Sequence, residues 1–151
     1  MTTSKTKVAK NNRLNNCRVL LAEDDPDHRP LLSLMLARAG ARVTVVENGV
    51  EAVELAKAAH DDNRPFDIIL MDMQMPILDG YGATQQIKRT GSNTPILAVT
   101  ARTFSEERNK CFEVGCDDFI SKPIERDNLI KRIAIQLQKT GSRTLPQQPK
   151  S

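Results

Sequence analysis

The chain has 151 residues and a mass of 16.8 kDa, room for one domain of ordinary size rather than two. Hydrophobic residues make up 39% but aromatics only 3%, so the core must come from Leu, Ile, Val, Ala and Met; no apolar run nears the roughly 20 residues that span a bilayer, and the lysine-bearing start lacks the apolar stretch of a secretory signal. The formal charge of +3 hides a division, because residues 1–18 hold five basic residues and 139–151 three, neither with an acid, which leaves 14 basic against 19 acidic residues in 19–138.

Residues 1–16 and 140–151 are basic, polar and poor in large apolar groups, and are expected to be disordered tails flanking one domain over 17–139. Basic tails alone do not make a nucleic-acid reader. Val19–Ala22 is the first apolar run, and a nearly continuous run of this kind reads as a strand covered on both faces. A helix follows it. Starting that helix after Asp27 puts Pro30 at its third position, where a missing N–H costs little. At 100° per residue, Leu31, Leu32, Met35, Leu36 and Ala39 share an arc of about 140°, and Leu34 lies about 60° beyond it. This is either a broad core stripe or a surface for a partner.

Gly40 ends the helix in the place of a left-handed cap. Val43–Val46, Asp67–Met71, Ile96–Val99 and the short Phe119–Ile120 are expected as the remaining strands, again as covered runs. Glu106 and Glu107 follow Ser105 in the first turn of another helix, which Gly115 closes. The last helix repeats Leu129, Ile130, Ile133 and Leu137 along one face. Five strands alternating with five helices imply an α/β domain with a parallel sheet. Cys17, Cys111 and Cys116 have no metal spacing and are expected as free thiols of a reducing, cytoplasmic compartment.

In such a sheet, ligands bind beyond the carboxyl ends of the strands. Those ends carry Glu23, Asp24 and Asp25, then Asp72 followed by Met73-Gln74-Met75-Pro76, then Thr100, then Ser121-Lys122-Pro123. Converging carboxylates repel one another unless a cation intervenes. Carboxylates with water suit Mg²⁺. A cation, a lysine and a hydroxyl together can hold a phosphoryl group, and a carboxylate there can be the nucleophile. Asp72 is the best candidate, because it alone follows the middle strand. Taken singly, Asp24 or Asp25 also suits a helix cap and Thr100 a strand end. His28 is expected as an ordinary helix-start residue, and Met71, Met73 and Met75 as packing residues.

Residues of about 17–138 resemble the receiver domain of two-component response regulators, most closely the receivers attached to hybrid sensor histidine kinases. The resemblance is carried, in order and spacing, by Val19-Leu-Leu-Ala-Glu-Asp-Asp25, by Ile69-Leu-Met-Asp-Met-Gln-Met-Pro76 with Asp79-Gly80, by Val99-Thr-Ala101 and by Asp117-Asp-Phe-Ile-Ser-Lys-Pro123. It implies a single (βα)5 flavodoxin-like doubly wound domain with strand order 2-1-3-4-5, an order taken over from the family rather than read from spacing. It also implies that Asp72 accepts a phosphoryl group from the phosphohistidine of a histidine kinase or histidine phosphotransfer protein. Mg²⁺ would be held by Glu23, Asp24, Asp72 and the Gln74 carbonyl. Lys122 would pair with the phosphoryl oxygens, with a cis bond to Pro123. Thr100 and Phe119 would form the switch, Phe119 lacking the phenolic hydroxyl of some relatives. Turnover of an external substrate is not expected, only self-phosphorylation and self-dephosphorylation.

Other classes fit less well. A haloacid dehalogenase-type phosphatase wants an Asp where Gln74 stands, and a cap domain that the length does not allow. A nucleotide binder of flavodoxin type wants a Gly- or Ser-rich loop where Glu23-Asp24-Asp25 stands. A DNA-binding regulator would need an output domain beyond the last helix. The serious alternative is a degenerate receiver serving only as a protein-interaction module.

Overall fold

The computed structural model describes residues 13–101 and 105–140. Five parallel strands, β1 (Arg18–Ala22), β2 (Arg42–Val46), β3 (Ile68–Asp72), β4 (Ile96–Thr100) and β5 (Asp118–Ser121), form one sheet in the order β2-β1-β3-β4-β5. Between and after them run α1 (His28–Arg38), α2 (Gly49–Asp61), α3 (Gly80–Arg89), α4 (Ser105–Val114) and α5 (Arg126–Thr140). The chain steps from β1 outward to β2, then returns past β1 to β3. Neighbouring connections therefore leave the sheet in opposite directions at β1 and β3, where such folds open a crevice.

The period-two alternation of a strand sends neighbouring residues to opposite faces, and each face has its own core. Val19, Leu21, Ile68, Leu70, Leu97 and Val99 pack with Leu32 and Leu36 of α1 and with Leu129, Ile133 and Leu137 of α5. Leu20, Ile69, Met71, Ile96 and Ala98 pack on the other face with Ala52 and Ala56 of α2, Ala83 and Ile87 of α3 and Cys111 of α4. Met71, Met73 and Met75 are all buried in this second core, as packing residues. The three cysteines are free and buried.

Local chemistry sets the element ends. The Asn48 side chain accepts from Glu51 N at 2.9 Å to start α2, and Asp79 accepts from Gly82 N at 2.9 Å to start α3. Gly40 (φ 98°) and Gly115 (φ 112°) close α1 and α4 in the left-handed conformation, each followed by a return bond, Ala41 N to Leu36 O and Cys116 N to Cys111 O. The helix after β1 begins past Asp27 with Pro30 third, as its sequence implies. Asp27 makes no side-chain cap, however. Asp25 supplies it instead, its Oδ1 accepting from Asp27 N at 2.8 Å and its carbonyl from His28 N and Arg29 N.

The structure corrects some expectations and decides others. β2 is not covered on both faces: it is an edge strand in which Arg42, Thr44 and Val45 are exposed and only Val46 is buried. The apolar arc of α1, left open between core stripe and partner surface, divides: α1 settles on Leu32 and Leu36, and Leu31, 53% exposed, stands outward with Leu34. Glu106 and Glu107 stand in the first turn of α4 after Ser105, as expected. The expected tail over 1–16 gives way at 13–16, a turn whose Leu14 is fully buried among α1 and α5 side chains and whose backbone bonds Ala39 and Gly40 carbonyls. Residues 1–12 and 141–151 of the expected tails lie outside the described residues.

Candidate functional site

The carboxyl ends of β1, β3, β4 and β5 bring their polar residues to one edge. Glu23 continues β1, Asp72 ends β3, Thr100 ends β4 and Lys122 follows β5. Glu23, Asp72 and Thr100 are all buried there. The Lys122 ammonium lies 3.3 Å from Asp72 Oδ2, 3.3 Å from Glu23 Oε2 and 3.2 Å from Glu23 Oε1. The Lys122–Pro123 peptide is cis, and Lys122 N donates to Thr100 O at 2.8 Å, which ties the loop after β5 to the end of β4.

Burial dominates the acidity of Asp72. It pushes the carboxyl from an ordinary 3.8 up to about 6, with the neighbouring Glu23 carboxylate adding to the rise and the Gln74 N–H, donated at 3.0 Å, working against it. For Lys122, burial alone would favour the neutral amine, but the carboxylates of Asp72 and Glu23 outweigh it and hold the ammonium above its ordinary value. The pair is thus a charged lysine against a carboxylate poised to take or lose its proton near neutrality.

One oxygen of each of Glu23, Asp24 and Asp72 lies within 4.8 Å of the others, so three carboxylates crowd one spot. Glu23 Oε1 is buried and, despite its closeness to Lys122, has no partner in hydrogen-bonding geometry among the described residues. A buried carboxylate oxygen left without a donor, in a purely oxygen donor set, fits a hard divalent cation such as Mg²⁺.

Glycine makes the geometry behind Asp72 possible. A Cβ on Gly80 would stand 2.4 Å from the Asp72 carbonyl oxygen and 2.7 Å from Met73 Cα, so only glycine lets the start of α3 close against the end of β3. In the loop between them, Ile77 adopts φ 72° and is 80% exposed, with Leu78 N donating to Pro76 O at 2.7 Å across it. A β-branched residue is strained in that region, and no sequence signal marks it.

His28 proves to be more than a helix-start residue. Its Nδ1 lies 3.2 Å from the Lys122 ammonium and 3.4 Å from Asp25 Oδ2. The Asp27 backbone N–H chiefly, and then the charge of His28, hold the exposed Asp25 carboxyl below its ordinary value. Arg29 clamps the acidic loop from behind, donating to the carbonyls of Glu23 (3.2 Å) and Asp24 (2.9 Å). Phe119 is half-buried beside the site, edge-on to Phe112 at 6.2 Å with the Arg108 guanidinium 5.6 Å from its ring centre. Glu23, Asp24, Asp72, Gln74, Thr100 and Lys122 therefore share one edge as the spacing implied; His28, near that edge in the sequence but read as a helix-start residue, joins them, and Arg29 was not foreseen there.

The response regulator receiver domain family matches residues 19–134. Histidine kinase 1 of Arabidopsis thaliana is 36% identical over an alignment of 152 positions that spans 80% of this chain but 13% of that protein. The receiver domain of a Pseudomonas aeruginosa sensor histidine kinase, solved with a magnesium ion in its active-site cleft, is 34% identical, with a TM-score of 0.73 and coverage of 82% of this chain and 98% of that one. A receiver domain of an Arabidopsis thaliana histidine kinase, solved with Mg²⁺ and BeF₃⁻, is 31% identical, with a TM-score of 0.72 and coverage of 82% and 93%. The chain thus spans about an eighth of its full-length kinase relative and nearly the whole of each isolated receiver. No helix among the described residues is long and apolar enough to cross a membrane.

Proposed function

The chain belongs to the response regulator receiver domain family of two-component signalling, and from that premise we propose that Asp72 accepts a phosphoryl group from the phosphohistidine of a histidine kinase or a histidine phosphotransfer protein. The observation that carries the reading is the buried Asp72 at the end of the central strand, 3.3 Å from a lysine ammonium and beside two further acids. In the transfer, an Asp72 carboxylate oxygen attacks phosphorus, the phosphorus–nitrogen bond to histidine breaks, and the imidazole leaves with the bonding electrons. Lys122 is close enough to move from Asp72 onto the phosphoryl oxygens and offset their charge. Thr100, at the end of β4, offers its hydroxyl to the same group. Half-buried Phe119 beside it can follow by ring packing, so that charge at the site alters the surface of α4, β5 and α5.

Glu23, Asp24, Asp72 and the Gln74 carbonyl would hold Mg²⁺. Bound there, the ion would supply positive charge that lets phosphoryl oxygens approach the acidic edge. The partner would dock on the groove of about 390 Å³ lined by His28, Leu31, Met35, Ala101, Pro123 and Ile124, which opens beside Lys122. The chain would act on itself only, without turning over an external substrate. Buried free thiols accord with a cytoplasmic setting.

Intact mass after incubation with acetyl phosphate tests the reading. A gain of one phosphoryl group that requires Mg²⁺ and is absent from Asp72→Asn is expected. No gain in the wild-type chain, from acetyl phosphate or from a phosphohistidine protein, would leave a receiver that serves only as an interaction module.

A further inference from the structure

Away from the acidic edge, α1 and α5 border a second concavity of about 650 Å³, within the range of roughly 300–1,000 Å³ typical of small-molecule sites. Its rim is cationic: Arg13 comes from the turn before β1, Arg38 from the last turn of α1, and Arg126 and Lys131 from the start of α5. Asp127 is the one carboxylate in the lining, and it is paired with Arg126 at 3.3 Å. Among the described residues, Arg13, Arg38 and Lys131 therefore have no compensating acid within the basin. Its floor is apolar, made by Met35, Ala39 and Ile130.

Local stability does not account for this arrangement. Arg38 suits the negative end of α1, but Arg126 stands in the first turn of α5, where the helix dipole disfavours a cation and favours an anion. The chain's own ends are poor occupants, since residues 1–12 and 141–151 carry Lys5, Lys7, Lys10, Arg143 and Lys150 and no acid. Guanidinium groups match phosphate oxygens in pairs, and an apolar floor suits a flat ring.

We propose that this basin binds a nucleoside polyphosphate, with the phosphates on the rim formed by Arg13, Arg38, Arg126 and Lys131 and the base on the floor of Met35, Ala39 and Ile130. The basin shares Met35 with the groove beside Lys122 but holds none of the carboxylates of the phosphoacceptor edge, nor Thr100 or Lys122, and does not depend on the reading of that edge.

The test is titration of the full chain with ATP, GTP, inorganic triphosphate and adenosine, in chelator so that the acidic edge cannot recruit phosphates through a metal. Nucleotide binding is expected to move the backbone amide resonances of residues 35–39 and 126–131. Inorganic triphosphate, which cannot use the apolar floor, is expected to bind about tenfold more weakly. The double variant Arg38→Gln/Lys131→Gln should weaken nucleotide binding by about tenfold or more, as loss of charged hydrogen bonds does, while melting at the wild-type temperature. Asp72→Asn should bind as wild type. Triphosphate binding as tightly as ATP, unchanged binding in the double variant, or no binding of any probe at about 1 mM, the weak end of specific affinities, would each overturn the proposal.

Discussion

Asp72 links acidity, stability and reactivity in one side chain. Attack on phosphorus needs the ionised carboxylate, so at sub-saturating Mg²⁺ the rate of phosphorylation by acetyl phosphate is expected to fall as pH drops through about 6, and saturating Mg²⁺, which favours the ionised form, should move that fall to lower pH. The same shift acts on folding. The folded carboxyl holds its proton more tightly than the unfolded one, so its stabilising contribution is full below about 3.8 and lost as pH rises through about 6. At about pH 8, Asp72→Asn has no charge to bury and should be more stable than wild type, by at most about 3 kcal/mol and less whatever Lys122 forfeits with its partner. Urea midpoints at about pH 8 and about pH 3.5 decide this: the gain should vanish at the lower pH, and a variant less stable than wild type at the higher one would show that the Lys122 contact outweighs burial. His28 makes a second prediction. Its Nδ1 meets the Lys122 ammonium at 3.2 Å, opposite two carboxylates, and in the tautomer that leaves Nδ1 bare it accepts a hydrogen bond there. Removing that bond in His28→Ala, worth about 1 kcal/mol, should slow phosphorylation about fivefold, whereas His28→Asn keeps an acceptor oxygen and most of the rate. Equal slowing in both variants would refute the hydrogen-bonding role.

At the scale of elements, α1 turns adjacent leucines to opposite sides. Leu32 and Leu36 are buried against the sheet, whereas Leu31 and Leu34 are about half exposed. Replacing both exposed leucines by Ala should change stability by no more than about 0.5 kcal/mol. It should leave the acetyl phosphate rate intact and slow transfer from a phosphohistidine protein about tenfold, the effect of losing apolar contacts at the centre of an interface. Slowing with both donors alike would place the leucines in the chemistry rather than in docking. The same helix shows what a sequence can and cannot convey. Its start was legible because Pro30 tolerates only the first turn, and its core face because apolar residues recur at helical spacing. Which part of that face is covered was not legible, because the arc does not reveal where α5 and the loop after β5 stop. β2 repeats the lesson: its residues read as a strand, but its exposure follows from an edge position that only the strand order decides. The acids, Thr100 and Lys122 were legible as strand-end residues. The contact of His28 with Lys122 was not, because the two meet across 94 positions only once α1 is seated.

Taken whole, the molecule is a sheet between two separate apolar cores, and the charged edge is rigid because every strand that feeds it is anchored in both. The first of those cores reaches further toward the N-terminus than composition suggested. Leu14, in a stretch otherwise made of Arg and Asn, is fully buried with Leu36, Leu129 and Leu137, and its N–H donates to Ala39 O at 2.8 Å. A single apolar residue in a polar stretch carries no periodicity, so nothing in the sequence separates an anchor from a passing leucine. Structure separates them, and thermodynamics can check it. Leu14→Ala should cost about 2–5 kcal/mol, the range for truncating a leucine in a packed core. Because Leu14 contacts the layer of α1 and α5 rather than the acidic edge, phosphorylation of the folded variant by acetyl phosphate should proceed at the wild-type rate. Urea unfolding and the intact-mass time course read the two quantities separately. A loss below about 1 kcal/mol, the size of a surface substitution, would make residues 13–16 an ornament on a domain that begins at Cys17; the expected loss makes this turn the clasp that closes α1 and α5 over the sheet.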